Sequence, residues 1–202
     1  IQDPALGIGE DRDAANTGSI AILTDAEGWI LDAEGSAAFL DKAGRVALMP
    51  GACWSEAPGL NALGTAIADA RAVEVRGGEH YAAPHRILNC AASPIFDPYG
   101  RMVGVLDISG DASVAQVHAL GLSQLAVAHI EHRYFDEGIA DADLLRVHSQ
   151  RALLGTAREG LLAFRNGRLI AANRVGLALF GLERTDLGRA SYDALFDGAV
   201  SR

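Results

Sequence analysis

Two apolar runs, residues 87–96 (ILNCAASPIF) and 102–109 (MVGVLDIS), stand on either side of Asp97-Pro98-Tyr99-Gly100. No other feature constrains the fold as much. Proline at the second turn position presets φ, and glycine at the fourth takes the left-handed backbone that a tight reversal needs, so the runs read as the two strands of a hairpin. Pro94 has no N–H to give to a ladder, which predicts an edge or a bulge at that point.

The chain on either side supplies further elements. Residues 20–24 and 29–31 flank Asp25-Ala26-Glu27-Gly28, a second hairpin. Residues 37–42 predict a short helix, and 49–57 a loop that carries Trp54. From Asn61, a helix N-cap, Leu63, Ile67 and Ala70 keep helical spacing to about Arg71. Val73 and Val75 then alternate with Glu74 and Arg76 in a short strand, followed by Gly77-Gly78 and a polar loop, 79–86. Residues 114–135 predict a long helix that is apolar nearly all round, with one face for the sheet and another for a second helix or subunit; a homodimer through this helix is expected. After the charged stretch 136–143, the spacing of Leu144, Val147, Arg151 and Leu154 predicts another helix. Asn166-Gly167 joins a third hairpin, 161–164 with 168–171, and Asn173 leads the next helix. The expected organisation is a poorly ordered lead-in over 1–17, a first domain over 18–135, a linker over 136–152, and the start of a second domain, incomplete, over 153–202.

Composition excludes several function classes. Half of the 202 residues are hydrophobic, enough for a core, while a formal net charge of −9 with no basic cluster argues against nucleic-acid binding by this stretch. Two cysteines do not make a disulfide framework and point to a reducing, cytoplasmic setting. No apolar run approaches the roughly 20 residues of a membrane span, no signal peptide is visible, and no G-x-x-x-x-G-K-[ST] phosphate loop or basic recognition helix occurs.

The residues that carry chemistry each have a functional and a structural reading. Trp54 either covers a small-molecule pocket or lids the core. Glu56, Asn61 and His80 either orient a ligand or cap turns. Cys90, beside Ala91, Ala92 and Ser93, either borders space for a ligand or is an inert buried thiol. Asp107 interrupts the apolar run 103–108 and needs hydrogen-bonding partners if buried. His80, His85, Cys53 and Cys90 lack the close pairing of a zinc site, so the histidines read as solvated loop residues, and nothing places the two cysteines within disulfide reach. His129 and His132 read as surface or dimer-interface groups.

Pro50-Gly51, Trp54-Ser55-Glu56, Gly59, Asn61-Ala62, Gly64-Thr65-Ala66, Val73, Val75, Gly77, Glu79-His80, Cys90-Ala91-Ala92, Pro94-Ile95, Asp97-Pro98, Gly100 and Gly104-Val105-Leu106-Asp107 together form a long ordered pattern. It resembles the GAF domain of sigma-54-dependent transcriptional activators of the acetoin-catabolism-regulator type. Residues 159–164 with Ala172-Asn173-Arg174 look like the PAS domain that follows it there. The implied fold is α+β, a GAF domain (antiparallel sheet flanked by helices) followed by a long linker helix and a partial PAS domain. The resemblance departs at Leu60, where a Thr is expected, at Ser93, and in the short lead-in; the first two bear on ligand preference. It implies a regulatory region without enzymatic activity or cofactor. A small organic effector would bind in the GAF pocket near Trp54, His80, Cys90, Asn61, Glu56 and Asp107, and the change would pass along the helix. An ATPase and a DNA-binding region would lie further along, so the full-length protein is expected to contact sigma-54 RNA polymerase and DNA. A module that senses a partner protein is the alternative, and a redox or sulfoxide-reductase-like enzyme a minor one, short of cysteines.

Overall fold

The computed structural model describes residues 18–55 and 60–196; the predicted lead-in, Glu56 and residues 197–202 lie outside the described residues. Two compact units emerge, one made of the chain through Pro94 together with Gly104–Ser123, the other of Ile95–Val103 with the chain from Gln124 onward.

The first unit is built on an antiparallel five-stranded sheet in the order β2-β1-β5-β4-β3. The strands are β1 (Ser19–Asp25), β2 (Ile30–Gly35), β3 (Val73–Arg76), β4 (Leu88–Phe96) and β5 (Met102–Asp111). The Asp97 side chain closes the β4–β5 turn by accepting from the Tyr99 and Arg101 N–H groups, and Gly100 holds a φ of 84°. β3 pairs only with residues 89–92 of β4, so Pro94 falls past the last β3 partner, as its missing N–H requires. Ile20 pairs with Ser109 and Ile22 with Asp107 across β1 and β5. Because side chains alternate, these residues share the inner face with Val105, Cys90 and Ala92, which join an apolar cluster with Trp54, Leu63 and Phe39.

Two short helices complete that cluster. α1 (Ala37–Gly44) buries Phe39 and Ala43; α2 (Ala62–Asp69) is capped by Asn61 and ends on Ala70, a non-glycine residue at φ 52°. The predicted loop 79–86 is shorter than expected, because single 3-10 turns form at Gly77–Glu79 and Ala83–Ile87.

α3 spans Ala119–Arg133, not the whole of 114–135. Before it, Asp111 takes the Ser113 N–H and hydroxyl and Asn89 donates to the Val114 carbonyl, which hold that backbone outside a helix. The helix buries Ala119, Ser123, Val127 and Glu131, four residues apart, and exposes Leu122 and Leu125. No helix among the described residues is long and apolar enough to cross a membrane.

The second unit holds a three-stranded antiparallel sheet, β6 (Asp143–Val147), β7 (Gly160–Arg165) and β8 (Arg168–Ala172), with β7 central. The helix predicted over 144–154 is therefore a strand followed by a 3-10 turn at Arg151–Leu153. Its spacing fitted a helix, but β7 is buried on both faces and has an edge to fill, so tertiary pairing wins over local period. Asn166 and Gly167, both at positive φ, make the β7–β8 turn. α4 (Arg174–Leu179) approaches β7 closely: a Cβ on Gly176 would sit 2.7 Å from the Leu161 carbonyl oxygen. α5 (Tyr192–Leu195) adds aromatic contacts to Phe164.

Candidate functional site

The inner face of the first sheet and the loops that cover it bring most of the predicted residues to one apolar cluster, from two sides. On the loop side, Trp54 is only 3 % exposed; its indole N–H donates to the Ala47 carbonyl at 2.8 Å. Asn61 accepts from the Gly64 N–H and donates to the Trp54 carbonyl, so it fixes both the start of α2 and the Trp54 loop. His85 stacks on Trp54 with ring centroids 4.4 Å apart, and His80 meets His85 edge-on at 6.4 Å. The reading of these histidines as solvated is thus corrected: the 3-10 turns fold the His85 ring onto the tryptophan and the His80 ring against His85.

His80 is buried, and its Nδ1 lies 3.1 Å from the Gly77 carbonyl oxygen. A carbonyl only accepts, so Nδ1 carries the proton and Nε2 is a bare acceptor. That Nε2 has no hydrogen-bond partner among the described residues. Burial holds the pKa of both rings below the ordinary histidine value, with the neighbouring His80 adding to the effect at His85.

On the sheet side, Asp107, Ser109 and Cys90 touch one another. The Ser109 hydroxyl lies 2.5 Å from Asp107 Oδ2 and 3.0 Å from Cys90 Sγ, all of it buried. Burial raises the Asp107 carboxyl to about 6, against the opposing pull of the Ser109 hydroxyl and the Ala91 N–H; no group meets hydrogen-bond geometry at Oδ1. Burial likewise pushes the Cys90 thiol up, which leaves it protonated and unreactive. Only Cys90 and Ala92 of the small-residue run face this cluster; Ser93 points the other way and bonds Ser123 of α3, so the departure at Ser93 lies off the site. Leu60 is exposed, Cys53 is half-buried and unpaired, and Glu56 lies outside the described residues. A groove of about 330 Å³ elsewhere in this unit is lined by Glu74, Arg76, Asn89 and Gln116, none of them predicted from sequence.

Sequence reasoning missed Ser109, although its alternation with Asp107 along a strand was an available signal, and it named His85 only as a solvated loop residue. It also missed two acids of the second unit. Glu131 accepts from the Phe96 N–H and from Arg174 through both oxygens at 2.7 Å. Glu159 accepts from Arg146, His132 and the Gly155 N–H. Burial pushes the Glu159 carboxyl up, but Gly155, His132 and Arg146 together outweigh it and hold the group below the usual range. His132 is thereby a half-buried partner of Glu159, not the surface group its helical position suggested, whereas Arg184 stacks over Phe96 at 3.4 Å.

The family model described as the MimR N-terminal domain matches residues 8–132. The chain is 39 % identical over 115 residues to the acetoin dehydrogenase operon transcriptional activator AcoR of Bacillus subtilis, covering 56 % of this chain and 19 % of that protein. It is 34 % identical over 201 residues to the acetoin catabolism regulatory protein of Cupriavidus necator, covering 92 % and 30 %. It is 32 % identical over 125 residues to the propane 2-monooxygenase operon transcriptional activator MimR of Mycolicibacterium smegmatis, covering 60 % and 21 %. The chain thus spans less than a third of the length of these relatives. A chain in the crystal structure of the E. coli DhaR(N)–DhaL complex shares the fold, with a TM-score of 0.59 at 16 % identity over 91 % of this chain and 64 % of that one.

Proposed function

The chain belongs to the MimR N-terminal domain family, and on that premise we propose that it is the signal-receiving region of a transcriptional activator, a GAF-type unit followed by a PAS-type one. A small, uncharged organic effector carrying at least one hydroxyl binds in the first unit. One observation carries this reading: two buried acceptors in the first unit, His80 Nε2 and Asp107 Oδ1, have no donor among the described residues. Buried polar atoms without partners are rare in folded proteins, and a ligand O–H supplies what each lacks. No lysine or arginine is among the groups that set the ionisation of Asp107, so an anionic ligand finds nothing to offset its charge.

In this reading the six predicted residues have unequal roles. His80 and Asp107 bind; Cys90 borders the ligand; Trp54 and Asn61, whose own polar groups are already bonded, shape the wall; Glu56, outside the described residues, keeps only the orienting role expected from its residue type. Binding favours one arrangement of the Trp54 and His80 loops, and α3 carries the change onward to the ATPase and DNA-binding regions of a full-length protein that acts on sigma-54 RNA polymerase. The exposed Leu122 and Leu125 of α3 pair with a second copy. Calorimetric titration with small alcohols, diols and ketones tests the reading. His80→Ala is expected to weaken binding at least tenfold and Trp54→Ala to abolish it; unchanged binding in both variants sinks the assignment.

A second reading, in which this region senses a partner protein, draws on the packing of Trp54 into the core and on the structural neighbour, whose own structure is that of a complex with DhaL. Mass spectrometry of denatured protein separates the two: a released small molecule favours the first, a co-purified polypeptide the second.

A further inference from the structure

Ser109 stands between two acceptors, Asp107 Oδ2 and Cys90 Sγ, with one hydroxyl proton. A carboxylate is the stronger acceptor and takes that proton. Cys90, whose thiol burial keeps protonated, stays in contact with the Ser109 hydroxyl at 3.0 Å. The one Ser109 proton is thereby committed to Asp107 Oδ2. Oδ1 is left over, buried and without a partner among the described residues, so it is the atom on which a proton adds.

The two states of that atom have opposite chemistry. Ionised, Oδ1 can only accept; protonated, it becomes a donor. We propose that Asp107 sets the functional group the first unit accepts and changes that choice with pH: while it is ionised a ligand must offer an O–H, and once it is protonated a carbonyl suffices. The inference rests on the small-molecule reading above. Cys90 on β4 is the titratable group in the Asp107 chain; Ile22 is its partner on β1, and Ser109 lies two residues on along β5. On the loop side His85 stacks on Trp54 of the cluster and His80 lies against His85, and burial lowers both. The Asp107 carboxyl, raised to about 6, puts the change within an accessible pH range.

The test measures binding of 2-butanol and 2-butanone, a matched pair differing in the O–H, to the 202-residue chain across pH. In the wild type, affinity for the ketone should fall about tenfold per unit above pH ~6 while that for the alcohol holds or rises, so the alcohol-to-ketone ratio should grow at least tenfold from about pH 5 to pH 7. In Asp107→Asn, whose amide both donates and accepts at every pH, the ratio should be flat. A constant ratio in the wild type overturns the proposal, and an equal change in the variant assigns it to a histidine instead. Should neither probe bind at any pH, the receptor reading falls with it; binding at a flat ratio sinks only the Asp107 switch. Since a variant can misfold, the wild-type Asp107 carboxyl is also followed by carbon-13 NMR. Its midpoint near 6 should move up when 2-butanone is added, and an unmoved midpoint in the presence of ketone binding overturns the proposal.

Discussion

The two units bury carboxylates in opposite ways. In the second, Glu131 and Glu159 are surrounded by arginine, histidine and backbone donors, and both oxygens of each are engaged. In the first, Asp107 has the Ser109 hydroxyl, the Ala91 amide and no cation, with one oxygen outside hydrogen-bond geometry. A buried acid with its cations in place is a joint in the framework, since taking away one partner leaves the rest exposed to the full cost of burial. A buried acid left short of donors is costly to the fold, and that cost marks it as a place where something else is meant to bind.

The largest effect should come from the satisfied side. Glu159→Ala leaves His132 and the Gly155 N–H without their acceptor, while the 43 % exposed Arg146 turns to water, and should cost about 3 kcal/mol in urea unfolding; a loss below about 1 kcal/mol would mean that the network holds no more than a surface ion pair does.

The unsatisfied side should respond with the opposite sign. The folded Asp107 carboxyl sits at about 6 against an ordinary value of 3.8. The folded state therefore holds its proton more tightly, and stability falls as pH rises from about 4 to about 6, by about 3 kcal/mol in all. Asp107→Asn should remove that slope and be more stable than wild type at pH 7. A variant that is less stable at pH 7, with the slope intact, would erase the contrast between the units.

The smallest effect sharpens the comparison with an exposed acid. The hydrogen bond from Lys42 lowers Asp111 to about 2, with Ser113 assisting. This contribution is present above pH ~4 and lost as pH falls through about 2. With both side chains about a third exposed, Lys42→Ala should cost less than about 1 kcal/mol, and the loss should shrink in high salt. A larger, salt-independent loss would put Asp111 with the buried acids.

Much of this was legible before any coordinates. The turns at Asp97-Pro98-Tyr99-Gly100 and Asn166-Gly167 announce themselves through residues that few other conformations favour, and Asn61 and Asn173 cap helices where their position predicted. β6 was not legible, since its leucines fit a helix equally well and only the open edge of β7 decides between them. The buried stripe of α3 escaped for a related reason: it consists of alanine, serine, valine and glutamate, while Leu122 and Leu125 face out. Within the site, Trp54, Asn61, His80, Cys90 and Asp107 were named from residue type and order. Their division into a loop set and a sheet set was not, because alternation along β4 and β5 shows which residues share a face but not what folds over it.

Ala70 ends α2 in the left-handed region, where a side chain costs about 1 kcal/mol that glycine would not incur. The last turn of α2 is consequently the cheapest part of the loop-side wall to unwind. Its amides should exchange with solvent ahead of those in β4 and β5, so the first unit has an opening motion of its own, one that uncovers the cluster without melting the sheet.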